Sequence, residues 1–250
     1  MTVVFQRPAS LEQKKFTYCP GCHHGVIHRL VAEVIDELGI QEKTVVVGPV
    51  GCSLFIYEYI DVDGVSAAHG RAPAAATGVK RALPDHVVFT YQGDGDLAAI
   101  GTAEIVHAAA RGENITVIFV NNAIYGMTGG QMSPATIIGQ KTTTSPAGRD
   151  MKTAGFPINV CEMLSALPGA THLERVSVHS VKHVIQAKKA IKQAFQNQID
   201  GNGFSLVEVL ASCPTNWRMD PEQCGKWIEE TMIQQFPLGK FSPAKEVKNA

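Results

Sequence analysis

Apolar and polar positions along the chain fall into two alternating rhythms. Short runs rich in β-branched and aromatic residues, at 44–47, 65–68, 86–91, 115–120, 173–178 and 204–210, read as strands. Between them the apolar positions recur at helical spacing. Val26, Ile27, Leu30, Val31, Val34, Ile35 and Leu38 share one face, with Gly39 at the stop position. Further helices are expected over 72–83, where Pro73 suits a first turn, and over 97–111, 180–196 and 221–234. Strands alternating with helices predict an α/β fold: a doubly wound, mostly parallel sheet with helices on both faces. Residues 1–18 read as an extended arm and the last residues as a polar tail, so 1–250 is expected to be one domain with these two appendages. The segment 125–157 is rich in Gly, Thr, Ser and Pro, and loops of that length inside a compact domain are usually functional.

The central unit carries the first chemistry. A strand ends in Gly93-Asp94-Gly95-Asp96, a helix follows, and a second strand ends in Asn121-Asn122. A helix over 97–111 runs about 22 Å and a six-residue strand about 20 Å, so the crossover returns Asn122 to the edge left at Asp94. Ligands of open α/β sheets bind at that edge. A carboxylate, an amide oxygen and a carbonyl of the next turn form a hard oxygen set suited to Mg²⁺, whose shell is completed by phosphate and water. Gly93 and Gly95 permit close backbone approach. A lone Gly-Asp-Gly is usually a turn in which the Asp caps a helix; the Asn pair one crossover later shifts the reading to a cation–diphosphate site.

Composition narrows the classes. With 45% apolar residues, 18% charged residues and a net charge of −1, the chain reads as globular, with no bias toward nucleic acid or an anionic membrane surface. No apolar run reaches the length of a membrane span and no secretory signal stands out, so a cytoplasmic location is expected. There, six cysteines point to metal ligands or reactive thiols rather than disulfides. Cys19-Pro-Gly-Cys22-His23 formally fits a c-type haem attachment, which normally follows export. A redox dithiol at a helix start is better, but it leaves Cys52 and Cys213 unexplained. A Cys₄ site uses all four: Cys52 and Cys213 each follow a strand at the edge that bears Asp94, and Cys19 and Cys22 join from a helix start. Spacing does not separate zinc from an iron–sulfur cluster. Cys161 and Cys224 read as structural, with Cys224 a rival to Cys213. His69, beside Gly70 and Arg71, stands at the same edge as a donor for diphosphate or carboxylate. His23 and His24 are balanced between surface groups and ligands. Tyr18, Phe55, Tyr57 and Tyr59 read as core or subunit contact, and Lys182, Lys188, Lys189 and Lys192 as a solvated face.

The combination GDGDLAAIG…NNAIYGMTGGQ, with CPGCHH before it and SCPTNW after it, resembles the thiamine diphosphate (TPP)-binding β subunit of 2-oxoacid:ferredoxin oxidoreductases of the 2-oxoglutarate or 2-ketoisovalerate type. The resemblance runs from Cys19 to Trp217. It implies the TPP-binding fold, with Mg²⁺ on Asp94, Asn122 and the carbonyl of Ile124. It also implies a cofactor lined by Val50, Gly51, Cys52, Ser53, His69, Gly93, Gly95, Asp96, Gly126 and Met127, and a [4Fe–4S] cluster on Cys19, Cys22, Cys52 and Cys213. The implied activity is CoA-dependent oxidative decarboxylation of a 2-oxoacid to acyl-CoA and CO₂, with electrons passed to ferredoxin. No residue of this chain is an evident catalytic acid or base. The glutamate that activates TPP is expected on a partner α subunit carrying the other TPP domain, and ferredoxin-like clusters on further small subunits. The segment 126–131 has no Lys or Arg for a distal carboxylate, which favours a branched-chain oxoacid or pyruvate over 2-oxoglutarate, unless Arg149 or a partner supplies the charge. Two other readings stand: a non-redox TPP-dependent decarboxylase or carboligase subunit, and a zinc-stabilised interaction subunit.

Overall fold

The structure, a computed structural model, describes residues 6–241. Seven strands form one sheet: β1 (Thr44–Gly48), β2 (Asp63–Ser66), β3 (Val87–Gly93), β4 (Thr116–Asn121), β5 (Ala170–Ser177), β6 (Phe204–Leu210) and β7 (Gly239–Phe241). Their spatial order is β2-β1-β3-β4-β6-β5-β7, and every pair is parallel except the β5–β7 edge. The helices are α1 (His24–Leu38), α2 (Ile56–Tyr59), α3 (Ala72–Ala82), α4 (Thr102–Ala110), α5 (Met151–Ala154), α6 (Val160–Ser165), α7 (Val181–Ile199), α8 (Pro214–Trp217) and α9 (Pro221–Trp227).

The central strands read as unbroken apolar runs because both their faces are covered. On one face Ile27, Val31, Val34 and Ile35 of α1 and Ala187, Ala190, Ile191, Ala194 and Phe195 of α7 pack against Val46, Phe89, Ile118 and Val207. On the other, α3, α4 and α6 cover Val45, Val88, Val117 and Leu206. Helix α1 stops where expected, because Gly39 takes a left-handed φ of 63°, its N–H bonds the Asp36 carbonyl and the Ile40 N–H bonds the Ile35 carbonyl.

Several elements differ from the sequence reading. The crossover helix is not continuous: its first turn, Asp96–Ile100, is π-helical, and the α-helix begins at Thr102. The cause is packing of Gly101 on Gly70, where an added Cβ would meet backbone at 2.6 Å, together with the Gly101 N–H to Asp96 carbonyl bond of 2.9 Å. Strand β2 lies two residues earlier than expected, since its apolar content is low and pairing to β1 alone sets its register. The arm is partly built in, with Ser10 and Leu11 buried and Leu11 bridged to Ile60; residues 1–5 lie outside the described part. The polar tail begins only after β7, and residues 242–250 likewise lie outside.

A buried ion pair lies under the strand ends. Arg175, fully enclosed on β5, donates from Nε to Glu208 Oε2 on β6 at 2.8 Å and from Nη2 to Glu162 at 2.5 Å, with Phe241 4.8 Å from its guanidinium. Glu208 Oε1 then accepts from Asn121 Nδ2 at 2.8 Å. Removing one member of such a pair strands the other charge. Glu208→Ala is expected to cost about 3 kcal/mol or more in urea unfolding. Glu37→Ala, which cuts the exposed α1–α7 bridges to Lys188 and Lys192, should cost under about 1 kcal/mol.

Candidate functional site

The carboxyl ends of β1, β2, β3 and β4 meet at one cleft of about 130 Å³. All ten expected cofactor residues, Val50 to Ser53, His69, Gly93, Gly95, Asp96, Gly126 and Met127, line it, and so do Asp94, Asn122 and Ile124. His24, Tyr125 and Thr128 line it as well. A larger cavity of about 470 Å³ lies between β5, β7 and α7. The smaller cleft is the candidate site on chemistry, because the strand-end carboxylate and cysteine stand there.

The parallel register of β3 and β4 pairs Gly93 with Val120, which brings Asp94 and Asn122 side by side. Beyond β4 the backbone turns sharply at Ala123, a non-glycine residue at φ 56°. That strained turn is held by Asn121 Oδ1, which accepts from Ala123 N–H, and by Thr136 and Gln140, which donate to the Ala123 carbonyl. As a result Asn122 Oδ1 stands 2.7 Å from the Ile124 carbonyl and 3.2 Å from Asp94 Oδ1. In this orientation of the amide three oxygens face one another. Turning the amide would make its nitrogen a donor to both neighbours. A cation would satisfy all three as they stand: adjacent ligands of octahedral Mg²⁺ at 2.0–2.1 Å lie about 2.9 Å apart. Burial pushes the Asp94 carboxyl up to about 7, opposed by the Ser133 hydroxyl and nearby backbone N–H groups. Ser53 Oγ is buried and unpartnered in the same cleft, a free hydroxyl for an anionic ligand. Gly95 is required by contact, since a Cβ there would meet Tyr125 Cε1 at 2.1 Å. The donor set and the orphaned hydroxyl fit a Mg²⁺–diphosphate group.

Asp96 is occupied differently from expectation. Its Oδ1 accepts from His69 Nδ1 at 2.5 Å and from Gly70 N–H at 2.8 Å, and its Oδ2 accepts from Gln92 Nε2 at 2.6 Å. It therefore fixes the His69 ring at the cleft wall. Arg71 does not join His69; it pairs with Glu104 and the Ile100 carbonyl, away from the cleft. Arg149 is not available to a substrate either. It is buried, and its three nitrogens donate to the carbonyls of Ser133, Pro134, Thr136, Ala154, Gly155 and Phe156, which organises the long loop. His24 is buried and His23 half-buried, and burial pushes both rings down to about 4. His24 Nδ1 bonds the Tyr91 hydroxyl at 2.7 Å, and His23 Nδ1 accepts the Ser212 N–H at 3.1 Å. Tyr18, Tyr57 and Tyr59 are core groups; the Tyr57 hydroxyl, for example, bonds both N–H and C=O of Gly48.

Four thiols gather beside the cleft. A Cβ on Gly126 would sit 3.4 Å from Cys213 Sγ and 3.6 Å from Cys52 Sγ. Cys19 and Cys22 close a turn, with Cys22 N–H to Cys19 C=O at 3.0 Å, which is tied to the Cys213 segment by Ser212 Oγ to Gly21 C=O at 2.9 Å. Burial pushes Cys22 up to about 12 and Cys52 up to about 11, and the neighbouring thiols add to both shifts. Gathered thiolates of this kind are stabilised by bound metal. Among the described residues no three Cys, His, Asp or Glu groups converge on one ion-sized point. Sulfurs around one zinc stand about 3.8 Å apart; a cluster holds its cysteines wider. Cys224 is fully buried among Trp217, Ile228, Met232 and Phe236, whereas Cys213 receives Asn216 Nδ2 at 3.2 Å.

The family profile described as thiamine pyrophosphate enzyme, C-terminal TPP binding domain, matches residues 49–209. The chain is 50% identical over 238 residues to the ketoisovalerate oxidoreductase subunit VorA of Methanothermobacter thermautotrophicus, covering 95% of this chain and 50% of that one. It thus spans about half the length of that relative. It is 38% identical over 240 residues to the 2-oxoglutarate synthase subunit KorB of Archaeoglobus fulgidus, covering 92% and 85%. A 2-oxoglutarate:ferredoxin oxidoreductase from Magnetococcus marinus, solved with 2-oxoglutarate, coenzyme A and succinyl-CoA, matches with a TM-score of 0.77 at 25% identity, covering 98% of this chain and 87% of that one. Among the described residues no helix is long and apolar enough to cross a membrane.

The raised Asp94 carboxyl has a sign that can be checked. In metal-free protein the folded state holds this proton between about pH 4 and about pH 7 while the unfolded state has lost it. Its contribution therefore disfavours folding increasingly as pH rises through that window and levels off above it. Urea midpoints in chelator, compared for the wild type and Asp94→Asn, should diverge with rising pH in favour of the variant.

Proposed function

Since the chain belongs to the thiamine pyrophosphate enzymes, within the 2-oxoacid:ferredoxin oxidoreductase subunits, we propose that it is the TPP-binding, [4Fe–4S]-carrying subunit of such an enzyme. The complete reaction is CoA-dependent oxidation of a 2-oxoacid to acyl-CoA and CO₂, with electrons passed to ferredoxin. The observation that carries this reading is the shared wall of two sites: Cys52 and Gly126 line the cleft that holds Asp94 and Asn122, and the Cys52 and Cys213 sulfurs flank Gly126. When bound, TPP supplies the carbon nucleophile for decarboxylation and the cluster a one-electron acceptor.

The chain's own residues do the holding. Asp94, Asn122 and the Ile124 carbonyl are the ligands of Mg²⁺, and Ser53 Oγ is a donor for diphosphate. Asp96 orients His69, whose Nε2 is left for the cofactor or the substrate carboxylate. Cys19, Cys22, Cys52 and Cys213 hold the cluster, and Asn216 donates to Cys213. At about 130 Å³ the cleft is smaller than the roughly 300 Å³ at which cofactor pockets begin. A partner α subunit completes it and brings the activating glutamate.

Its exposed apolar residues, Val50 and Met127, and a lining without Lys or Arg among the described residues favour a 2-oxoacid with a neutral side chain, a branched-chain oxoacid or pyruvate, over 2-oxoglutarate. The anaerobically purified complex is expected to reduce ferredoxin with 3-methyl-2-oxobutanoate and CoA, at a higher kcat/KM than with 2-oxoglutarate. Cys213→Ser should lose the broad absorbance near about 400 nm that marks such a cluster, and Cys224→Ser should keep it. A cluster intact in Cys213→Ser contradicts the ligand set; activity without iron contradicts the redox reading.

A further inference from the structure

Two histidines line the strand-end cleft, and their surroundings differ. The His69 side chain is 38% exposed and is partnered by the Asp96 carboxylate. His24, the first residue of α1, is only 4% exposed. Among the described residues its one side-chain hydrogen bond joins Nδ1 to the Tyr91 hydroxyl at 2.7 Å. Nε2 is left over. It is not sealed in the core as His28 Nδ1 is, so it opens on the cleft that the ring lines.

The Tyr91 hydroxyl determines which nitrogen carries the hydrogen. Tyr91 is fully buried, and Nδ1 is the one partner of its hydroxyl among the described residues. A buried O–H without an acceptor is costly, so the hydroxyl donates to Nδ1. The hydrogen of the neutral ring then sits on Nε2. A protonated ring would carry one there too, so the donor does not depend on titration. The ring is also held in place. It stacks nearly parallel on Tyr18, with centroids 4.9 Å apart, and the Tyr18 hydroxyl donates to the Cys52 carbonyl at 3.0 Å.

The other free groups of the cleft are matched to full charges. The oxygens of Asp94, Asn122 and Ile124 suit a cation, and Ser53 Oγ and the Asp96-oriented His69 suit anionic oxygens. His24 offers an enclosed N–H of fixed direction. Such a donor suits a carbonyl oxygen, which gains negative charge only as its carbon is attacked. We propose that His24 Nε2–H is the hydrogen-bond donor to the C2 oxygen of the bound 2-oxoacid, with Tyr91 the positioning residue that holds the ring in this tautomer. The proposal rests on the reading of the cleft as a 2-oxoacid site.

The test separates the two ring nitrogens. A glutamine amide reaches the place of imidazole Nε2, and an asparagine amide that of Nδ1. His24→Gln therefore keeps a donor in the cleft and gives up the bond to Tyr91, whereas His24→Asn does the reverse. Calorimetry on the anaerobically purified, TPP-loaded complex, without CoA or ferredoxin, compares two unreactive acids. One is 2-hydroxy-3-methylbutanoate, which has an oxygen at C2, and the other is 3-methylbutanoate, which lacks it. The wild type is expected to bind the hydroxy acid about tenfold more tightly. His24→Gln should keep most of that preference, and His24→Asn should lose it. Tyr91→Phe, which changes no residue beside a cysteine, should reduce it. A wild type without the preference, or a preference that survives in His24→Asn, overturns the proposal. Where both His24 variants lose it, Tyr91→Phe decides: a reduced preference supports the proposal and an unchanged one overturns it. A wild type that binds neither acid overturns the 2-oxoacid reading itself.

Discussion

The arrangement depends on the turn that follows β4. Ala123 is held at a left-handed φ that an alanine rarely adopts, and a chain of buried bonds enforces it: Arg175 to Glu208, Glu208 to Asn121, Asn121 to the Ala123 N–H. The strain is small beside the cost of leaving any of those charged or polar groups buried without a partner. One consequence is that Asn122 and the Ile124 carbonyl face Asp94 across the neighbouring strand end. Another is that the following residues, Tyr125 to Thr128, fold over the cleft and set Gly126 against the cysteine sulfurs. The oxygens of Asp94, Asn122 and Ile124 and the Cys52 and Cys213 sulfurs beside Gly126 therefore depend on one structural support.

A second theme is incompleteness. The cleft is shallow, its lining contains no carboxylate free to accept and return a proton, and Asp96 is committed to His69 and two other donors. Asp94 accepts from Ser133 and converges with the Asn122 and Ile124 oxygens. The residues that line the cleft are thus suited to holding a bound group rather than to moving its protons.

Much of this was legible in the sequence because backbone periodicity places strand ends without reference to side-chain partners. The length match of the helix and return strand sufficed to bring Asp94 and Asn122 together, and Gly39, Pro73 and Pro221 marked helix limits by their fixed backbone preferences. What the sequence hid were partnerships between residues far apart in the chain. Nothing local distinguishes Arg149, spent on six carbonyls, from an arginine waiting for a substrate. The same holds for Arg71, drawn to Glu104, and for His24, whose burial depends on Tyr18 and Tyr91. The π-helical turn at Asp96 was equally hidden, because it follows from the approach of Gly70 to Gly101. A signal was present there: paired glycines at 70 and 101 mark a close contact once both are known to face the same edge.

The central claim is that one support holds two prosthetic groups in this chain. Native mass spectrometry of the anaerobically prepared complex, dissociated to release this subunit with its ligands, tests it most directly. The expected result is a mass increment equal to one [4Fe–4S] cluster, one thiamine diphosphate and one Mg²⁺ on the same chain. An increment of zinc in place of the cluster, or of thiamine diphosphate and Mg²⁺ without iron in fully reduced protein, would contradict it.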